Sequence, residues 1–379
     1  MSDAAESTAQ QTDLPLLFQP ITIKSVTARN RIVVPPLCQY SAVDGIPNDW
    51  HLVHYGSYAR GGVGTIFVEA TGVEPRGRIS HGCLGIWDDE HGAALKPLVN
   101  IIKRHGAVPG IQIAHAGRKA STQRPWNGLS ALNDDDIARG DVPWEVVGPS
   151  PLPADEGWLV PKQLDEAEIG DIVKAFGQAA RRSHDAGFEA LEIHGAHGYL
   201  IQSFLSPLSN KRNDGYGGDL AGRMRLALEV TREVRSNWPD EKPLFFRVSS
   251  VDGSDDGWQL DDSIALAKEL KALGVDCIDC SSGGNAASAT LTLVPRGLGF
   301  QVPFAAALRA EAGIMTMAVG LILDGEQSEA ILQAGDADLI AVGREIMYNP
   351  FWAVQAAQDL GIDPGFEMWP AQYGWWLDK

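Results

Sequence analysis

Short apolar, strand-like runs alternate with longer runs of helical pattern along almost the whole chain, and the alternation occurs eight times. The strand-like runs occupy 31–34, 65–69, 108–113, 190–193, 244–248, 277–280, 315–319 and 339–342. Helical patterns fill 50–60, 90–105, 165–186, 220–237, 263–273, 303–312, 326–334 and 350–359. A helix between two strands carries the chain back to the starting edge, so successive strands run parallel. Eight such units in strict alternation favour a single (β/α)8 barrel over a doubly wound sheet. Glycine stands just before several strands, in HDAGFEALEI, KALGVDCI and LQAGDADLI, where a left-handed residue can close the preceding helix.

A chain of 379 residues suits one large barrel, expected over 16–379 with an aromatic C-terminal segment. The opening MSDAAESTAQQTD is polar, with neither the basic nor the apolar region of a signal peptide, so 1–15 is expected to be a disordered tail. No apolar run approaches the roughly 20 residues that span a bilayer. A net charge of −18 argues against a nucleic-acid or anionic-membrane partner, though not against a local phosphate site. Four cysteines make no disulfide framework, and the simplest compartment is the cytoplasm. Cys277 and Cys280 spell CxxC, but on a strand they face opposite sides, and no second CxxC completes a zinc site. They are expected to be buried structural thiols.

Two connections exceed plain turns, 117–162 after the third strand and 198–219 after the fourth. Both fall on the face where such barrels build active sites. The strand ends bring polar and small residues to that face: Pro35 to Tyr40, Glu69-Ala70-Thr71, Gln112, the block His115-Ala116-Gly117-Arg118-Lys119, Arg247, Ser281 to Gly284, Gly320, and Gly343-Arg344. Glycines at the last three ends, with an arginine, suit a phosphate. Gln112 can donate to and accept from the amide-like edge of a heterocycle, and Arg247 can stabilise a reduced, anionic ring. After the fourth strand come His194, His197 and Tyr199. Two imidazoles can converge on one oxygen and a phenol can hand over a proton, which suggests carbonyl activation with proton transfer. The same HxxH pair could instead ligate zinc in a barrel hydrolase, given further ligands at neighbouring strand ends.

HGAHGYLIQSFLSPLSNKRNDGYGGDLAGRMR at 194–225, with PPLCQYS, HAGRK and DLIAVGREIMYNPF, resembles Old Yellow Enzyme-type flavin reductases. The likeness is to the thermophilic-like subgroup that includes bacterial xenobiotic reductases, and it runs from about Leu17 to the C-terminus. It implies tightly bound FMN and NADPH (or NADH) as reductant. Pro36, Leu37 and Cys38 would line the flavin, Ala70 and Gln112 would lie near its ring edge, and Arg247 near N1/O2. Gly320, Gly343 and Arg344 would hold the phosphate. His194 and His197 would grip a substrate oxygen, Tyr199 would give the proton, and Tyr40 would place a second hydroxyl over the substrate. Cys38 would tune flavin potential. The implied substrates are small activated alkenes: enones, nitroalkenes and maleimides.

The chain departs from some relatives at two places. YGWW stands where they send an arginine into a neighbouring subunit, so Trp375 or Trp376 would close the neighbour's pocket in a homodimer or homotetramer. Arg296 stands where some carry an aromatic. Two other flavin readings stay open: a dienoyl-CoA reductase or amine dehydrogenase type, and a flavoprotein that only binds or senses.

Overall fold

The computed structural model describes residues 14–285 and 294–379. Eight parallel strands close into a barrel: β1 (Ile32–Val34), β2 (Thr65–Gly72), β3 (Val108–Ala114), β4 (Ala190–Gly195), β5 (Leu244–Ser249), β6 (Cys277–Ser281), β7 (Met315–Ala318) and β8 (Leu339–Ala341). Each strand pairs with its sequence neighbours and β8 returns to β1, so no edge is left open. The barrel helices are α1 (Asp49–Arg60), α2 (Lys96–Arg104), α3 (Glu166–Ala186), α4 (Leu220–Asn237), α5 (Leu260–Ala272), α6 (Val302–Ala312), α7 (Gly325–Gln333) and α8 (Trp352–Asp359). The (β/α)8 expectation holds strand for strand.

Alternation along each strand sorts the core into two layers. Outward residues such as Ile66, Val68, Ile111, Leu191, Ile193 and Phe246 pack beneath the helices. Inward residues Val33, Phe67, Val108, Ala190, Phe245, Cys277, Met317 and Leu339 fill the floor of the barrel. A hairpin pairing Ile21–Ile23 with Val26–Ala28 closes that floor from below, with Ile21 and Ala28 buried against it. Burial of one such large side chain is worth about 1.5–3 kcal/mol. Cys277 lies in the floor and Cys280 in the outer layer, both free and wholly buried, as their spacing on a strand requires.

The structure corrects three boundaries. The helix expected over 90–105 is two, Asp89–Ala94 and α2, broken at Leu95 because Pro97 cannot donate a backbone N–H in the first turn of α2. The stretch 198–219 is not all loop: Leu200–Leu205 forms a wholly buried helix immediately after Tyr199. The long connection after β3 carries a short helix, Asp134–Ala138, and a two-residue parallel pair joining Val147–Gly148 to Lys162–Gln163. By contrast α3 ends as its sequence indicates, with Gly187 left-handed at φ +96°.

Candidate active site at the barrel mouth

The turn that follows β4 is held by three other strand ends. His197 adopts φ +63°, an uncommon conformation for a residue with a side chain. Gly284 presses against it so closely that a Cβ there would lie 2.4 Å from His197 Cα. From the β3 end, Lys119 Nζ donates to the His197 carbonyl at 2.8 Å and to the Gly284 carbonyl at 2.9 Å, and stands 5.3 Å from the centre of the Tyr199 ring. From β5, Ser249 Oγ accepts the His197 N–H at 3.0 Å, and from β6, Ser281 Oγ lies 2.7 Å from His197 Nε2. These ties set three rings edge to face, His194 5.1 Å from His197 and 5.0 Å from Tyr199 between centres.

Burial sets the protonation of all three. It pushes both imidazoles well below the usual histidine range, and the charges of Arg247 and Lys119 push the same way. Each is therefore neutral near pH 7. His194 Nδ1 accepts the Ala196 N–H at 3.3 Å, which leaves its proton on Nε2 as a donor. With His197 Nε2 engaged by Ser281, its Nδ1 is the remaining ring nitrogen. Burial, then Cys38 and Cys83, push the Tyr199 phenol upward, so it keeps its proton.

The opposite wall comes from the segment after β1. Cys38, Tyr40 and Tyr199 pack on one apolar patch with Ile79, Cys83 and Ala116. Burial, then Glu69 and Cys83, raise the Cys38 thiol, which also hydrogen-bonds with the Ala70 backbone. Tyr40 sits at φ +51° and its phenol is pushed up by burial and by Cys38 and Tyr199. Beneath them Glu69 is wholly buried, accepting the Gln39 N–H at 2.9 Å and the Tyr55 hydroxyl at 3.3 Å. Burial raises its carboxyl to about 8.

A cavity of about 300 Å³ opens beside this mouth. Pro35, Pro36 and Leu37 line it from β1, Arg247 from β5, Gly320 from β7, and Gly343 and Arg344 from β8. Gly343 caps a short helix, Arg344–Tyr348, with no side chain taking its first N–H groups. Gly320 holds φ +117°, a conformation that favours glycine, with Phe300 and Gln301 too near for a Cβ. The donor set fits a phosphorylated ring: backbone N–H groups and a guanidinium at one end, and at the other Arg247, which lines the cavity. Gln112 is buried and spends its amide N–H on Glu192 at 2.8 Å.

The structure thus brings together Pro36, Leu37, Arg247, Gly320, Gly343 and Arg344 in one cavity, and Cys38, Tyr40 and Tyr199 on one patch. Trp375 and Trp376 lie apart, on a helix over Ala371–Leu377, 59% and 70% exposed. Arg296 is exposed and stacks over Phe300. Sequence reasoning missed Glu192, Asp279 and the roles of Lys119, Ser249 and Ser281. The first two had a signal: each is a charge at an inward position of an otherwise apolar strand, two residues before a mouth residue. Among the described residues no His, Cys, Asp or Glu group is clustered to hold a metal, and no helix is long and apolar enough to cross a membrane.

Residues 16–362 match the model of a family described as NADH:flavin oxidoreductase / NADH oxidase. An NADPH dehydrogenase of Geobacillus thermodenitrificans is 46% identical over 349 residues, covering 92% of this chain and 95% of the relative. One from Listeria monocytogenes is 45% identical over 347 residues, covering 91% and 95%. Among solved structures, the Old Yellow Enzyme homologue of Zymomonas mobilis superposes with a TM-score of 0.75 at 26% identity, covering 91% of this chain and 93% of that one. Morphinone reductase does so with a TM-score of 0.75 at 25% identity, covering 91% and 90%.

Proposed function

This chain belongs to the NADH:flavin oxidoreductase / NADH oxidase family and is an FMN-dependent NADPH oxidoreductase of the Old Yellow Enzyme type; on that premise we propose that it is an ene-reductase acting on enones, nitroalkenes and maleimides. The observation that carries the proposal is the cluster of two neutral imidazoles and a protonated phenol at the barrel mouth, beside a cavity suited to a phosphorylated ring. The chemistry that bound FMN supplies is passage of a hydride equivalent from NADPH to the β-carbon of the alkene.

Pro36, Leu37 and Cys38 would line the cofactor, with Ala70 and Gln112 at its ring edge, Arg247 at its anionic end, and Gly320, Gly343 and Arg344 on its phosphate. His194 would donate from Nε2 and His197 from Nδ1 to the substrate's carbonyl or nitro oxygen, and the Ser281 hydroxyl would fix the His197 tautomer. Neutral donors suit this task, because they strengthen as charge builds on the oxygen and carry no charge into the ground state. Tyr199 would give its proton to the α-carbon: its O–H bond breaks as the C–H bond forms. Tyr40 would lie over the bound alkene. Reductant and alkene would use the same mouth in turn.

Deuterium labelling tests the scheme. With deuterium on the transferable position of NADPH, the label is expected at the β-carbon of reduced cyclohexenone, and in D2O solvent deuterium is expected at the α-carbon. Solvent label at both carbons contradicts it. The exposed Trp375 and Trp376 support a further proposal, that the C-terminal helix meets a second copy in a homodimer or homotetramer. Sedimentation of a W375A/W376A protein tests it: an unchanged mass excludes that contact.

A further inference from the structure

One layer beneath the mouth, four buried polar side chains lie together. Gln112 comes from β3, Glu192 from β4, Arg247 from β5 and Asp279 from β6. Strand register places them side by side: Gln112 beside Glu192, Arg247 beside Asp279, and Arg247 also beside His194. Glu192 and Asp279 are wholly buried. Below lies the apolar floor with Phe245 and Cys277; above stand the two imidazoles and, from the β3 end, Lys119. Glu192 Oε1 accepts the Gln112 amide at 2.8 Å, and its Oε2 has no hydrogen-bond partner among the described residues. Arg247 Nε lies 3.0 Å from Asp279 Oδ2.

The layer therefore holds two acids and one permanent cation. Two ionised carboxylates against one guanidinium would leave a net charge in a buried layer, which is far more costly than leaving one acid protonated. The contacts decide which acid is charged. Asp279 lies against the cation, its Oδ2 3.0 Å from Arg247 Nε, whereas the hydrogen-bond partner of Glu192 is a neutral amide.

We propose that Glu192 is held as a neutral carboxylic acid and Asp279 as the charged partner of Arg247, the two serving as positioning residues. Glu192 holds Gln112 and Asp279 holds Arg247, and the layer as a whole carries no net charge. Burial pushes both carboxyls upward, and the nearness of Asp279 pushes Glu192 further, with Arg247 opposing. Resting on the cofactor placement proposed above, the consequence is that Asp279 damps the positive field that Arg247 presents to the flavin.

The experiment compares E192Q and E192Q/D279N holoenzymes with the parent. The wild type minus E192Q infrared difference at neutral pH is expected to lose a protonated-carboxyl C=O band that shifts in D2O; taking the difference removes the band of Glu69. The flavin midpoint potential of E192Q is expected to stay at the parent value, because the amide copies a neutral acid. The double variant leaves Arg247 without a counter-charge, so its potential is expected to move positive. Loss of a carboxylate band in E192Q, or a positive shift in E192Q as large as in the double variant, overturns the assignment. The infrared result on E192Q stands alone if the double variant does not fold. If the band behaves as expected but neither variant moves the potential, the charge division holds and the cofactor placement fails.

Discussion

The two ends of the barrel are made by the same strands in the same register, yet they differ in every property. At the floor β4 presents Ala190, β5 Phe245 and β6 Cys277; one inward step higher the same strands present Glu192, Arg247 and Asp279; a further step gives His194, Ser249 and Ser281. The floor is apolar and sealed by a hairpin, so it contributes stability. The mouth is polar, contains residues at positive φ and buries neutral imidazoles, so it stores the cost that the floor offsets. Alternation with a two-residue period is what allows one strand to serve both ends.

Variants at the two ends should separate cleanly. The largest expected effect is at Tyr199. Tyr199→Phe should slow the oxidative half-reaction with cyclohexenone about 100- to 10,000-fold, the range for a lost general acid. Flavin reduction by NADPH should stay near normal, as stopped-flow absorbance would reveal; a collapse of reduction would remove Tyr199 from the proton-donor role. Next come His194→Ala and His197→Ala, each expected to weaken a phenolate ligand about 10- to 100-fold in a spectral titration. Unchanged affinity in both variants would place the oxyanion site elsewhere.

At the floor, Phe245→Ala should cost about 3–5 kcal/mol in denaturant unfolding, through lost burial and the cavity left behind. Its half-reaction rates per bound flavin should stay within about twofold of the parent. A kinetic loss comparable to that at Tyr199 would erase the distinction between the two ends.

The smallest effect concerns pH. Folded Glu69 keeps its proton until about 8, whereas in the unfolded chain it ionises above about 4.3. The native state therefore binds more protons than the unfolded state between those values, and stability falls as pH rises through that window. Glu69→Gln should flatten this slope, so unfolding measured at about pH 5 and about pH 8 should differ less than in the parent.

The same comparison explains what was legible beforehand. The barrel could be read because hydrophobic period is local, and eight repeats of it leave few alternatives. His194, His197 and Tyr199 could be read because they are close in sequence and follow a strand directly. The break at Leu95 could not, because the helical pattern runs on through Pro97 and only the missing N–H of that residue marks the break. Lys119 could be placed at a strand end, but that it clamps the His197 turn depends on two chain segments far apart in sequence meeting at Gly284. Asp279 showed only as a charge inside an apolar strand, since nothing local reveals that its neighbour across the sheet is Arg247. What the sequence withheld were contacts between strands, not properties within them.

The most direct test of the account mixes the NADPH-reduced protein with 2-cyclohexenone in the absence of oxygen and follows the flavin absorbance. The account predicts full reoxidation with one cyclohexanone formed per flavin, because the imidazole pair and Tyr199 are set to bind and protonate that acceptor. Flavin that stays reduced in the presence of enones, nitroalkenes and maleimides alike would contradict it.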